Sequence, residues 1–326
     1  MILLLLCTLC LSGCAFGGKE IGETPLIRLI VITQQENYKV QLVVYNAADG
    51  TDELLEGRAD TIPAAYLNAT SRFSELPYMG HLQAVYIDED LCRNDSAREI
   101  AGYLAEIAGV RIKAAYFVLE NGFSLEADEV EAFMIASSYY IDKLQVPPGN
   151  LLTPYTRVGN GNYNLPLLNF NGLELTKTAC MVCDANNFLF KVNEYLQELD
   201  ILSQRTHTAF YNAQLSGHDV SFQLSDIQLY YTAVRGENGY VIHVQVNASI
   251  EQLMASETTL QVEDQVLRSK LSKFLQAKLA LAIEKIYVEN NCDLFGFAFL
   301  CAQIPGNEGT VIEHEEISCK VHVNLR

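Results

Sequence analysis

Positive charge is scarce in this chain: 22 Lys and Arg stand against 40 Asp and Glu, a formal net charge of −18 at neutral pH. Binding nucleic acid through its phosphates needs a concentrated basic face. Here Lys and Arg are outnumbered in every third of the sequence and nowhere form a run of five. A polybasic grip on anionic lipid is excluded on the same ground. Apolar runs of membrane-spanning length, which need about 20 residues, are missing as well. So are the common catalytic motifs. There is no Gly-x-Ser-x-Gly elbow, no phosphate-binding Gly-Lys-Ser/Thr loop, and no His-x-x-x-His among the 6 histidines. Gly159-x-Gly161 lacks a third glycine and a preceding strand, which excludes a dinucleotide fingerprint. What is present is an ordinary folded composition, 49% hydrophobic and 19% charged over 326 residues. That length suits roughly two domains, each able to bury a core.

The longest apolar stretch, Ile2 to Leu11, is half the length of a membrane span and has the size of a signal-peptide h-region. It closes on Leu11-Ser12-Gly13-Cys14, which resembles a bacterial lipobox. Small residues there admit the peptidase to the backbone, and the thiol accepts a diacylglycerol before cleavage. The expectation is a signal peptide over 1–13, an acylated Cys14 (a palmitate-type lipid anchor) and a tether over 14–25. Several acyl chains, at about 0.8 kcal/mol per buried CH₂, hold a protein where one chain is marginal. Cys7 and Cys10 leave with the signal. Cys92, Cys180, Cys183, Cys292, Cys301 and Cys319 are too few in so long a chain to form a disulfide framework.

Along the body, Leu26–Thr33 and Tyr38–Tyr45 are β-rich runs around a polar Gln34-Gln35-Glu36-Asn37, which predicts an antiparallel hairpin. Asn46 to Arg58, rich in Asp and Gly, reads as a loop, and Ile62 to Phe73 has helical spacing. Gln83–Ile87 reads as a strand. Ser96 with Glu99 is a capping-box signature for a helix carrying Ile100, Leu104, Ile107 and Ala108 on one face. Ala114–Leu119 returns as a strand, Asn121-Gly122 turns, and Glu126–Ser137 is helical. This alternation is the α/β signature. Residues 146–176, rich in Asn, Gly and Pro, read as a long surface loop.

In the last third, Ile242, Val244, Val246 and Ala248 alternate with His243, Gln245 and Asn247. Ile317, Cys319, Val321, Val323 and Leu325 alternate with polar residues in the same way. Both read as half-buried antiparallel strands. Between them, Glu257 to Glu289 reads as one long amphipathic helix, with Leu267, Leu271, Leu275, Leu279, Ile283 and Ile286 in one stripe. Its lysines fall off that stripe as solvated flanks. The fold class is therefore α/β (α+β) and multi-domain, with mixed and antiparallel sheets packed by helices. The expected division is an N-terminal α/β part over 26–204 and a C-terminal α/β part over 205–326.

Candidate chemistry is thin. Cys180-x-x-Cys183 has metal-like spacing but no second ligand pair, and reads as two structural thiols or a local disulfide. Asp88-Glu89-Asp90 lacks calcium-loop spacing and reads as a solvated strand end. His243 and His322 fall on polar strand faces. The expectation is no catalytic group, no metal and no cofactor.

Several segments together resemble one family, the Ger(x)C lipoproteins, which form the C subunit of spore germinant receptors. Lys285-Ile286-Tyr287 followed by Asp293-Leu294-Phe295-Gly296-Phe297 is similar to the family's long helix running into Asp-Ile-Phe-Gly-Phe-Gly. Pro305 and the strand Ile317–Leu325 follow in the family's order. Tyr78-Met79-Gly80-His81-Leu82-Gln83, leading into a strand, is similar to its Gly-His-Leu-Lys segment. Cys14 with Lys19-Glu20-Ile21 is similar to its acylated start, although Ala15 stands where the family has Trp and the chain contains no Trp. The family's Trp-Leu-Asn-Glu-like segment has no counterpart near Gln214–Ser225. The resemblance implies a three-domain α/β lipoprotein on the outer face of the inner spore membrane. It would be non-enzymatic and would act beside two integral membrane germinant-receptor subunits of A and B type. The competing expectation is a solute-binding lipoprotein of a membrane transporter, with 146–176 lining a cleft.

Polar positions that would betray missed chemistry are Cys180, Cys183, His81, Asp88 and Asp293, while Phe295 and Phe297 are expected as core anchors. The lipobox carries the first prediction. Cys14→Ala should yield an uncleaved or soluble product on fractionation, and a normally processed, membrane-bound Cys14→Ala protein would end the lipoprotein reading.

Overall fold

The computed structural model describes residues 25–326, apart from 48, 74–76, 95, 107–113, 144–160, 185–186, 216–217, 238, 256–264, 308–311 and 313–315. The signal, Cys14 and the tether up to residue 24 lie outside the described residues, as does most of 146–162.

The predicted hairpin is present as β1 (Leu26–Gln34) and β2 (Tyr38–Asn46), in register from Gln34 opposite Tyr38 to Leu29 opposite Val43, with a one-residue shift before Ile27 pairs Val44. The stretch expected as a loop over 46–58 is instead a third antiparallel strand, β3 (Thr51–Ala59). Only Leu55 and Gly57 of β3 are buried, so no apolar alternation announces it. Its register is imposed by pairing with β2, and its charged outer positions suit an edge strand. Helix α1 (Ile62–Thr70) starts behind the Thr61 cap and lies directly on β3.

β4 (Ala84–Asp88), β5 (Ala115–Leu119) and β6 (Tyr163–Phe170) then add in parallel beyond β1. β7 (Leu175–Cys183) and β8 (Phe188–Val192) close the sheet antiparallel, giving the order β3-β2-β1-β4-β5-β6-β7-β8. β6 and the start of β7 fall inside the 146–176 loop expectation and correct it. Pro166 and the asparagines mask β6, yet β5 pairs it only through Leu167 and Leu168, which leaves the proline clear of that ladder. β4 and β5 are buried at every position because helices cover both faces. Helices α2 (Glu89–Arg93) and α3 (Ser96–Glu106) pack with Val85, Ile87, Tyr116 and Val118 on one side. Helix α4 (Val130–Lys143), entered by a 3₁₀ turn over Ala127–Glu129, packs with Tyr86 and Phe117 on the other.

Helix α5 (Leu196–Leu202) leads into a second sheet, β9 (Ala209–Leu215), β10 (His218–Gly236) and β11 (Gly239–Ala255), paired antiparallel in that order. The final strand, β12 (Ile317–Leu325), joins β11 in parallel, which corrects the antiparallel expectation. A period of two fixes which face a residue takes but not the strand's direction. Here the chain crosses over through a helix, and such crossovers join parallel strands. That helix is α6 (Gln265–Ile283), whose Leu267, Leu271, Leu275 and Leu279 are buried as expected. It widens into a π turn over Glu284–Glu289 and is followed by the short α7 (Phe297–Ala302). The N-terminal part of the expected helix, 257–264, lies outside the described residues.

Gly57 carries the prediction from this architecture. A Cβ there would sit on the Ala65 carbonyl and the Ala69 amide nitrogen, both backbone atoms of α1. Gly57→Ala should therefore lower stability by about 1–3 kcal/mol in denaturant unfolding by overpacking. An unchanged unfolding midpoint would show that α1 is not docked on β3 at this point.

Candidate functional site

The acidic triplet is not a solvated strand end. Asp88 closes β4 and is buried: its Oδ1 accepts from the Leu91 amide at 2.8 Å, capping α2, and its Oδ2 accepts from the Gln34 amide at 2.7 Å. Burial raises its pKa, against the pull of those two N–H groups. Glu89 is also buried and pairs with Arg93 and Lys191, which outweigh its desolvation and hold its carboxyl below the ordinary value. Asp90 is exposed and exchanges two hydrogen bonds with Asn121. Each carboxylate is thus engaged with a different structural partner.

Cys180 and Cys183 are free thiols on opposite faces of β7. Cys180 packs with Cys292 and Leu294, whereas Cys183 lies in the first core with its Sγ 3.8 Å from that of Cys92. Burial pushes the Cys180 thiol up, Cys292 and Cys319 to about 12, and Cys301 to about 11. A thiol so shifted stays protonated at neutral pH and is a poor nucleophile. Among the described residues, no group of three or more His, Cys, Asp and Glu could hold a metal ion. His81 is exposed, with its ring edge-on to Tyr78 at 6.0 Å.

The structure does bring His243 and His322 together. Their rings stack at 5.6 Å and 14°, with Nδ1 and Nε2 3.4 Å apart, because the parallel register seats them on neighbouring strands. Both belong to the face of the second sheet that no helix among the described residues covers. Helices α6 and α7 cover only the face carrying Ile242, Val244 and Val246. On the other face Phe210, Tyr230, Val234 and Met254 are 40–55% exposed among mostly uncharged polar side chains.

The Asp-Leu-Phe-Gly-Phe motif has a local logic. Gly296 takes a left-handed φ of 76°. The turn returns the chain so that Asp293 accepts from the amides of Phe297 and Ala298, both at 2.8 Å, and caps α7. Phe297 is fully buried, with ring centroids 5.1 Å from Tyr287 and 5.4 Å from Tyr231. Phe295 is half-buried and bridges that core to the Cys180 cluster.

Two cavities accompany these features. One, of about 300 Å³, lies at the C-terminal ends of β5 and β6 and is lined by Glu120, Asn121, Ser124, Glu129, Asn169 and Phe170. Leu168, Asn169 and Phe170 are the described part of 146–176 that lines this cleft. Glu120 accepts from Asn169 and Thr178, both at 2.7 Å. Nothing in the linear sequence marks this site, since its residues come from separate strand ends. The other cavity, of about 390 Å³, lies between β12 and the end of α6, beside Ile283, Tyr287, Cys319 and Val321.

A mixed sheet covered on both faces, followed by a sheet covered on one and closed by a helical crossover to a terminal parallel strand, defines a multi-domain α/β protein. Its fold is that of a solved protein: the chain matches the crystal structure of the GerBC protein with a TM-score of 0.61, over 91% of this chain and 96% of that one, at 12% sequence identity. The Ger(x)C-like fold implied by the sequence resemblance is therefore the fold of this chain. No protein-family model and no curated protein sequence matches it.

The C-terminal motif carries the third prediction. Phe297→Ala should cost about 3–5 kcal/mol of stability and Phe295→Ala clearly less, measured by chemical unfolding. Equal small losses would mean that the motif is not the anchor of this core.

Proposed function

We propose that the chain is the lipid-anchored C-type subunit of a nutrient germinant receptor, acting in spore germination. The observation that supports it is the likeness to GerBC along nearly the whole of both chains, on a sequence whose separate motifs resemble the same family in the same order. In this reading 1–13 is removed, Cys14 holds the lipid, and 26–204 and 205–326 are separate domains, a division that suits the two sheets. The body sits on the outer face of the inner spore membrane. It performs no chemistry, and biases integral membrane partners of A and B type between states by binding one state better. The uncovered face around Tyr230 is the contact surface, since exposed aromatics on an otherwise uncharged polar sheet suit a protein partner.

The second reading, a solute-binding lipoprotein of a transporter, is favoured by the cavity at the ends of β5 and β6, where α/β sheets receive ligands. One pair of variants separates the two in the spore former. Tyr230→Asp should leave the protein folded and anchored, yet reduce co-purification of the A and B subunits and slow germination several-fold. Glu120→Ala should change neither. Normal germination with Tyr230→Asp, together with a solute-specific defect in Glu120→Ala, would favour the transporter reading.

A further inference from the structure

The two cysteines closest in sequence are not the pair that geometry joins. Cys180 and Cys183 are three residues apart on a strand, so their side chains leave opposite faces and their Cα atoms are about 10 Å apart. A disulfide requires roughly 4.4–6.8 Å. Cys92, on α2, is 91 positions from Cys183 in sequence, yet the two sulfurs are 3.8 Å apart in one apolar core with Ala179 and Met181. Closing that gap to a bond of about 2.05 Å asks each sulfur to move by less than about 1 Å, within the reach of side-chain rotation.

We propose that Cys92 and Cys183 form a disulfide when the chain meets an oxidising small-molecule disulfide, and that this bond staples α2 to β7. One of the two thiols, as thiolate, attacks a sulfur of the reagent, forming a mixed disulfide and expelling one reagent thiolate. The second protein thiolate then attacks the mixed-disulfide cysteine sulfur, forming the Sγ–Sγ bond and expelling the second reagent thiolate. The two protein protons end on the two expelled thiolates, and two electrons pass from the cysteine pair to the reagent. The hydrogen bond with the Cys183 thiol, together with burial, raises the Cys92 thiol above its ordinary value, so the folded chain reacts slowly and the bond closes during folding. The bond encloses the whole stretch between β4 and β7, a long loop whose closure restricts the unfolded chain. This inference rests on the sulfur geometry and not on the germination reading.

The test is to refold the full chain with glutathione disulfide, block the remaining thiols, and map non-reduced peptides by mass spectrometry. The expected result is a Cys92–Cys183 peptide lacking two hydrogen atoms, present in wild type and in Cys180→Ser, and absent in Cys92→Ser and Cys183→Ser. The oxidised wild type should melt about 5 °C or more above its reduced form. A Cys180–Cys183 peptide, or refolded protein in which Cys92 and Cys183 carry only blocking groups or glutathione, would overturn the proposal. Because the wild-type map needs no substitution, failure of a serine variant to fold leaves the result decisive.

Discussion

The attachment of the second sheet to the first rests on the outer face of β7, where Cys180 and Val182 pack with Val192, Leu199, Ile286, Cys292 and Leu294. This patch draws on β7 and β8 from one side and on the helix ends from the other. Polar links flank it: Lys177 pairs with Asp200 at 2.7 Å, buried Arg205 donates to the Asn164 side chain, and Lys278 lies over the Tyr195 ring. Buried polar groups are costly unless satisfied, so these links fix orientation where the apolar patch alone would permit sliding. The requirement also explains why β7 is apolar at consecutive positions: Ala179, Met181 and Cys183 serve one core while Cys180 and Val182 serve the junction.

Much of this is legible in the sequence where one physical signal dominates. β1, β4 and β5 are apolar runs between turn residues, and α6 keeps an unbroken leucine stripe. They stand where the pattern puts them. β3 and β6 are not legible, for opposite reasons. β3 has almost no buried side chain to advertise it, and β6 hides its apolar residues behind Pro166 and asparagines. In both, pairing with a neighbour supplies what local preference does not. The direction of β12 is equally hidden, because alternation is the same in either direction.

The candidate site is legible in part. Asp293, Phe295 and Phe297 stand out in the sequence as a block, and in the fold they act as cap, bridge and anchor respectively. Asp88 departs from its expected place because a carboxylate at a strand end is usually solvated, whereas here it accepts from the buried Leu91 amide and the half-buried Gln34 amide. The neighbours His243 and His322, and the polar cavity around Glu120, depend on tertiary register and have no linear signature.

The π turn at the end of α6 has a consequence for the way the two halves communicate. In a regular helix adjacent residues point about 100° apart, and one apolar stripe serves one core. Here consecutive residues are both buried: Ile286 belongs to the junction patch and Tyr287 to the second-sheet core, against Phe297. The π turn holds more residues per turn, so adjacent side chains diverge by less than in an α-helix and both stay on the buried side, one reaching each core. α6 therefore behaves as a lever with two fixed bearings. Any rotation about its axis must disturb both packings together, so a push on the second sheet is felt at β7.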